Sequence, residues 1–66
     1  MVIQQIGETA GRIWHTLDEK GELRVSILKR QVDVPEPILY MALGWLARED
    51  KLAVEPRGRT FVVRLK

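Results

Sequence analysis

The chain has 66 residues, of which 45% are apolar and 30% charged, with no cysteine. That is enough for one small core, too little for two, and it excludes both disulfide reinforcement and a thiolate metal site. Eleven Lys and Arg against nine Asp and Glu leave a net charge of +2 and a pI near 9.4, a mild basicity whose meaning depends on where the charges fall. The opening residues, Met1 to Glu8, lack the basic and apolar regions of a signal peptide, and no apolar run nears the roughly 20 residues a bilayer span needs. The expectation is a cytoplasmic protein with no membrane partner, forming one domain over residues 1–66.

Ile3, Ile6, Ala10, Ile13, Trp14 and Leu17 recur at helical spacing and fall within an arc of about 100°, which predicts a first helix with one buried face. Glu8, Arg12 and His15 point to the opposite, solvated side. Gly7 and Gly11 lie one turn apart on its shoulder; each weakens the helix by roughly 1 kcal/mol relative to alanine and leaves room for another backbone to approach. Gly21 suits the left-handed position just past a helix, so this one should stop near Lys20.

Leu23 and Val25 alternate with polar neighbours and predict a very short strand. Ser26 is then placed to cap a second short helix through Ile27–Gln31. Val32-Asp33-Val34 forms a turn. Pro35 and Pro37 belong at the start of a third helix, because proline is tolerated in a first turn and has no donor for an interior one. Ile38, Leu39, Ala42, Leu43 and Leu46 form the buried face of that helix, which should run to about Glu49. Leu52–Glu55 and Thr60–Leu65 read as antiparallel strands, with Phe61, Val63 and Leu65 alternating against Thr60, Val62 and Arg64. Pro56-Arg57-Gly58-Arg59 forms the hairpin tip between them.

The order is helix, short strand, helix, helix, strand, strand. With a tight turn before the third helix and a terminal hairpin, this is the layout of a winged helix-turn-helix, an α+β fold of three helices, a short strand and a C-terminal β-hairpin wing. The stretch from Val32 to Leu43 resembles the helix-turn-recognition-helix segment of many bacterial regulators. The run Met41-Ala42-Leu43-Gly44-Trp45-Leu46-Ala47-Arg48-Glu49-Asp50-Lys51 looks like the signature of a narrower group, small prokaryotic winged-helix domains of unknown function. The resemblance implies the winged fold, and DNA binding by analogy with the superfamily.

In an ordinary winged helix the third helix reads base edges, mostly with forked donors and acceptors. Here its outward stripe is Pro37, Tyr40, Met41, Gly44 and Arg48, with Trp45 on the shoulder. The single arginine lies near the C-terminal end, where a phosphate is the nearer target, and Glu36 would repel the DNA backbone. Tyr40, Met41, Gly44 and Trp45 suit a protein interface; for Trp45 the other reading is completion of the core against the wing. Arg57 and Arg59 at the hairpin tip and Lys29 and Arg30 on the second helix are the candidate phosphate contacts, joined by Tyr40 and Arg48, while Lys51, Arg64 and Lys66 add charge near the hairpin.

His15 is the only histidine. It has no ligand cluster or nucleophile beside it, and Asp18, Glu19, Glu49 and Asp50 sit at helix ends with no enclosed pair. No phosphate-binding glycine loop follows a strand. The expectation is therefore a non-enzyme with no cofactor, metal or small-molecule substrate. Its expected role is a DNA-binding or transcription-related module that contacts duplex DNA non-specifically through wing and second helix. The alternative is a protein-interaction or homodimerisation module that keeps the fold without base readout.

Overall fold

The computed structural model describes residues 2–66. Six elements follow one another: α1 (Val2–Lys20), β1 (Leu23–Arg24), α2 (Val25–Val32), α3 (Glu36–Arg48), β2 (Leu52–Arg57) and β3 (Thr60–Leu65). The strands form one antiparallel sheet in the order β1-β3-β2. Its register pairs Leu23 with Val63 on one side, and Leu52 with Leu65 and Arg57 with Thr60 on the other. Three helices and a three-stranded antiparallel sheet in this order make a winged helix-turn-helix.

Each helix stops where its sequence offers a left-handed residue. Gly21 takes φ 79° after α1 and its N–H bonds the Leu17 carbonyl at 2.8 Å. Asp33 closes α2 at φ 53°, donating to the Lys29 carbonyl at 3.1 Å, and Asp50 at φ 60° follows α3. Aspartate is among the few non-glycine residues that visit this region readily. Pro35 is the N-cap of α3 and Pro37 lies in its first turn, where neither missing donor leaves a gap. The hairpin loop is only Gly58-Arg59, with Gly58 at φ 63° in the first central position, as a two-residue II′ turn requires. The strands thus run further than the sequence suggests: Pro56 and Arg57 belong to β2, and Pro56 is tolerated because β2 is an edge strand.

The core lies between the helices and one face of the sheet. Ile13, Leu28, Leu39, Val32 and Val63 are its largest fully buried side chains, and Ala10, Leu17, Ala42, Leu46 and Leu52 close around them. Four expectations change. Ile3 is 59% exposed, because the first turn of α1 overhangs the layer beneath it. Ser26 caps nothing: α2 already begins at Val25, with Arg24 at the N-cap and no side-chain cap bond. Arg12 does not simply face water, since its guanidinium donates to the Val32 carbonyl and ties α1 to the last turn of α2. In β3 the alternation is incomplete: Val62 and Val63 are both buried, on opposite faces, while Phe61 is exposed.

Candidate functional site

The face that a winged helix normally turns to DNA is built here from α3 and the hairpin. Along α3 the core takes Leu39, Ala42, Leu43 and Leu46, so helical geometry forces Tyr40, Met41, Gly44 and Arg48 outward. Tyr40, Met41 and Trp45 are all exposed, as are Val54 and Phe61 on the wing, each leaving between 42% and 51% of its surface uncovered. Trp45 therefore does not complete the core. Tyr40, Leu43, Gly44 and Ala47 face Val54 and Phe61 across an almost wholly apolar hollow of about 230 Å³.

Val54 and Phe61 are members of this face that the sequence pattern hides. Val54 pairs with the buried Val63, and Pro56 with Phe61 one step nearer the tip. All share the inward side of the sheet, but the hollow separates Val54 and Phe61 from α3 and leaves them exposed. Strand alternation gives both residues the inward side, and nothing in the spacing shows the gap between them and α3.

Gly44 forms part of the hollow. A Cβ added there meets no atom within 4 Å, and its φ is not in the left-handed region. Neither backbone conformation nor crowding within the chain requires glycine, although glycine costs an interior helical position about 1 kcal/mol. Gly7 and Gly11 are equally open. They border a second hollow of about 280 Å³, with Ala10, Trp14 and His15 from α1 and with Leu46 and Lys51. His15 packs at a right angle against the Trp14 ring, centroids 5.4 Å apart.

The cations divide into two sets. Lys29 donates to Glu36 at 2.6 Å, Arg64 reaches Glu55 at 2.8 Å, Lys51 lies 4.0 Å from Glu49, and Lys66 is bonded to Asp50. The bond from Lys29, reinforced by its charge, holds the Glu36 carboxyl below the usual carboxylate range and lifts the Lys29 ammonium above its ordinary value. Glu36 is thus neutralised within the chain. Arg57 at the wing has a looser partner, Glu22 at 3.8 Å. Among the described residues, Arg30, Arg48 and Arg59 have no carboxylate within 4.0 Å, and neither do Lys20 and Arg24. The structure thus leaves the wing tip and the α2 surface at Arg30 positive, while Lys51, Arg64 and Lys66 at the hairpin base are paired.

Among the described residues no group of three or more His, Asp or Glu is placed to hold a metal ion, and no helix is long and apolar enough to cross a membrane.

A family profile for a winged helix-turn-helix domain, DUF2582, matches residues 1–65. The chain belongs to the DUF2582 family. This DUF2582 domain is 42% identical over 64 residues to the uncharacterized protein MJ1608 of Methanocaldococcus jannaschii, covering 94% of this chain and 91% of that protein. Its fold is similar to the solution NMR structure of protein BT2368 from Bacteroides thetaiotaomicron, with a TM-score of 0.83 and 31% identity, over 98% of this chain and 79% of the other. The DUF2582 domain thus keeps the winged architecture while presenting an apolar α3 face.

Proposed function

We propose that this chain is a non-catalytic winged-helix module that contacts duplex DNA through phosphates, in a transcription-related role in the cytoplasm. Its wing and α2 make the contacts; α3 does not read bases. The observation that carries this reading is the wing tip, where Arg57 and Arg59 flank Gly58 on a two-residue turn. Among the described residues Arg59 has no carboxylate within 4.0 Å, and Arg57 has the exposed Glu22 at 3.8 Å. Exposed pairs of this kind are worth about 0–1 kcal/mol, so a phosphate displaces the carboxylate at little cost. Arg30 on α2 and Arg48 at the end of α3 add further positive charge, whereas Lys29 contributes only by exchanging Glu36 for a phosphate. Tyr40, Met41 and Gly44 offer none of the forked groups that discriminate bases.

The test is anisotropy of a labelled duplex titrated with protein across a salt series, beside the Arg57→Ala/Arg59→Ala variant. Each phosphate contact contributes about −0.9 to the slope of log K against log salt. The double variant should bind more weakly and with a slope shallower by up to about 2. Absence of binding at low salt, or identical behaviour of the variant, overturns the proposal.

The second reading, a protein-interaction module, is favoured by the exposed Tyr40, Met41 and Trp45 together with the hollow at Gly44.

A further inference from the structure

We infer that the α3–wing face is closed by a second copy of this chain, in a two-fold dimer centred on the hollow at Gly44. This deepens the protein-interaction reading and is independent of the wing arginines. Tyr40, Met41, Trp45, Val54 and Phe61 are all half-exposed on α3 and the wing. Together they leave on the order of 500 Å² of side chain uncovered, given the 150–250 Å² that an aromatic residue can bury. That reaches the size of the largest apolar patch an ordinary monomer shows, and supplies most of the roughly 800 Å² per partner of a stable interface.

The composition identifies the occupant. Aromatic residues, methionine and arginine are enriched at protein interfaces, and the interface core is depleted of charge. The outward stripe of α3 carries one charged side chain, Arg48, at its C-terminal end. A polyanion gains nothing from such a surface. A second copy brings an equally apolar one, with Arg48 as the charged side chain of its stripe. The face offers both a recess, about 230 Å³ with Gly44 in its wall, and exposed side chains, Met41 and Trp45, elsewhere on α3. An isologous contact needs that combination, because under two-fold symmetry each copy supplies the knob for its partner's hole. It also explains Gly44, whose missing side chain serves no purpose within the chain.

Sedimentation equilibrium of the full chain tests the dimer, with Gly44→Gln, Met41→Glu and Gly7→Gln as variants. A side chain at position 44 has open space within the monomer and glutamine is a good helix former, so Gly44→Gln folds; its circular dichroism melt checks this. The wild type should sediment at twice its 7.6 kDa at high protein concentration, and its Tm should rise with concentration. Gly44→Gln and Met41→Glu should raise the dimer Kd at least tenfold, while Gly7→Gln, on the α1 hollow, leaves it unchanged. A wild type that stays monomeric at about 1 mM overturns the proposal, since any specific dimer weaker than that gains less than about 4 kcal/mol. So does a dimer indifferent to Gly44→Gln, or one dissociated by Gly7→Gln instead. Duplex binding by the wing arginines is read separately, so either proposal can fail alone.

Discussion

Lys29 Nζ donates to Glu36 Oε2 at 2.6 Å, joining the last turns of α2 to the first residue of α3 across the turn Asp33–Pro35. Each partner also sits at the favourable end of its own helix, the cation near a C-terminus and the carboxylate at an N-terminus. The pair bridges the two helices of the motif at their surface and offsets the negative charge that Glu36 alone would hold toward a nucleic acid.

This pair makes stability depend on pH in a direction that follows from its two shifts. Glu36 titrates below its ordinary value of 4.5 in the folded chain, so its contribution is present above that range and is lost as pH falls through the lowered value. Lys29 titrates above its ordinary 10.5, so its contribution is intact below that and is lost as pH rises through the raised value. Glu36→Gln should therefore lower Tm slightly at neutral pH, and the difference from the wild type should shrink as pH falls through the lowered carboxyl range. Thermal melts of both proteins across pH check this; a difference that persists undiminished in acid contradicts it.

Two glycines of similar exposure should respond to alanine with opposite signs. Gly11 is interior to α1 with open space around its Cβ position, so Gly11→Ala should stabilise the monomer by roughly 1 kcal/mol through helix propensity. Gly21 sits at φ 79°, where a Cβ meets its own backbone, and Gly21→Ala should destabilise by about 1–2 kcal/mol. Urea unfolding of the two variants measures both changes; equal signs would contradict the assignment of Gly21 as the obligatory helix stop.

The core has little reserve. Leu39 is fully buried among Ile13, Leu28 and Val63, and truncating such a leucine to alanine costs about 2–5 kcal/mol. At about 0.05–0.15 kcal/mol per residue, a chain of this length has only several kcal/mol to lose. Leu39→Ala should leave a large unfolded fraction at 37 °C, visible as collapse of amide shift dispersion, whereas Tyr40→Ala should not.

Much of the fold was legible because local chemistry dictates it. Gly21 and Gly58 admit a positive φ that other side chains avoid, while the rings of Pro35 and Pro37 fix theirs, and the structure turns, caps or starts a helix at all four. Periodicity likewise placed Ala10, Ile13 and Leu17 inside and Tyr40 and Met41 outside. What escaped was set by contacts between distant residues. The bond from Arg12 to the Val32 carbonyl spans 20 positions, and nothing in the spacing of either helix announces it. Ile3 and Phe61 carry the right period for burial but stay exposed, Ile3 in the first turn of α1 and Phe61 across the hollow from α3. Ser26 had the chemistry of a cap, yet β1 and α2 abut so closely that the helix starts one residue before it. For the candidate site, the cations could be counted from the sequence, but which were already paired required the fold: Lys29 and Arg57 are, Arg30 and Arg59 are not.

The strand order has a consequence for how quickly the molecule assembles. β3 is the central strand, but its two neighbours stand at very different distances along the chain. Its hairpin with β2 closes over Gly58 and Arg59 alone, an event of roughly 1–10 μs. Its pairing with β1 joins Leu23 to Val63 and has to close a loop of 40 residues first. The wing hairpin therefore carries the smaller loop-closure cost, and the long-range pairing that brings the buried Val63 against Leu23 carries the larger one.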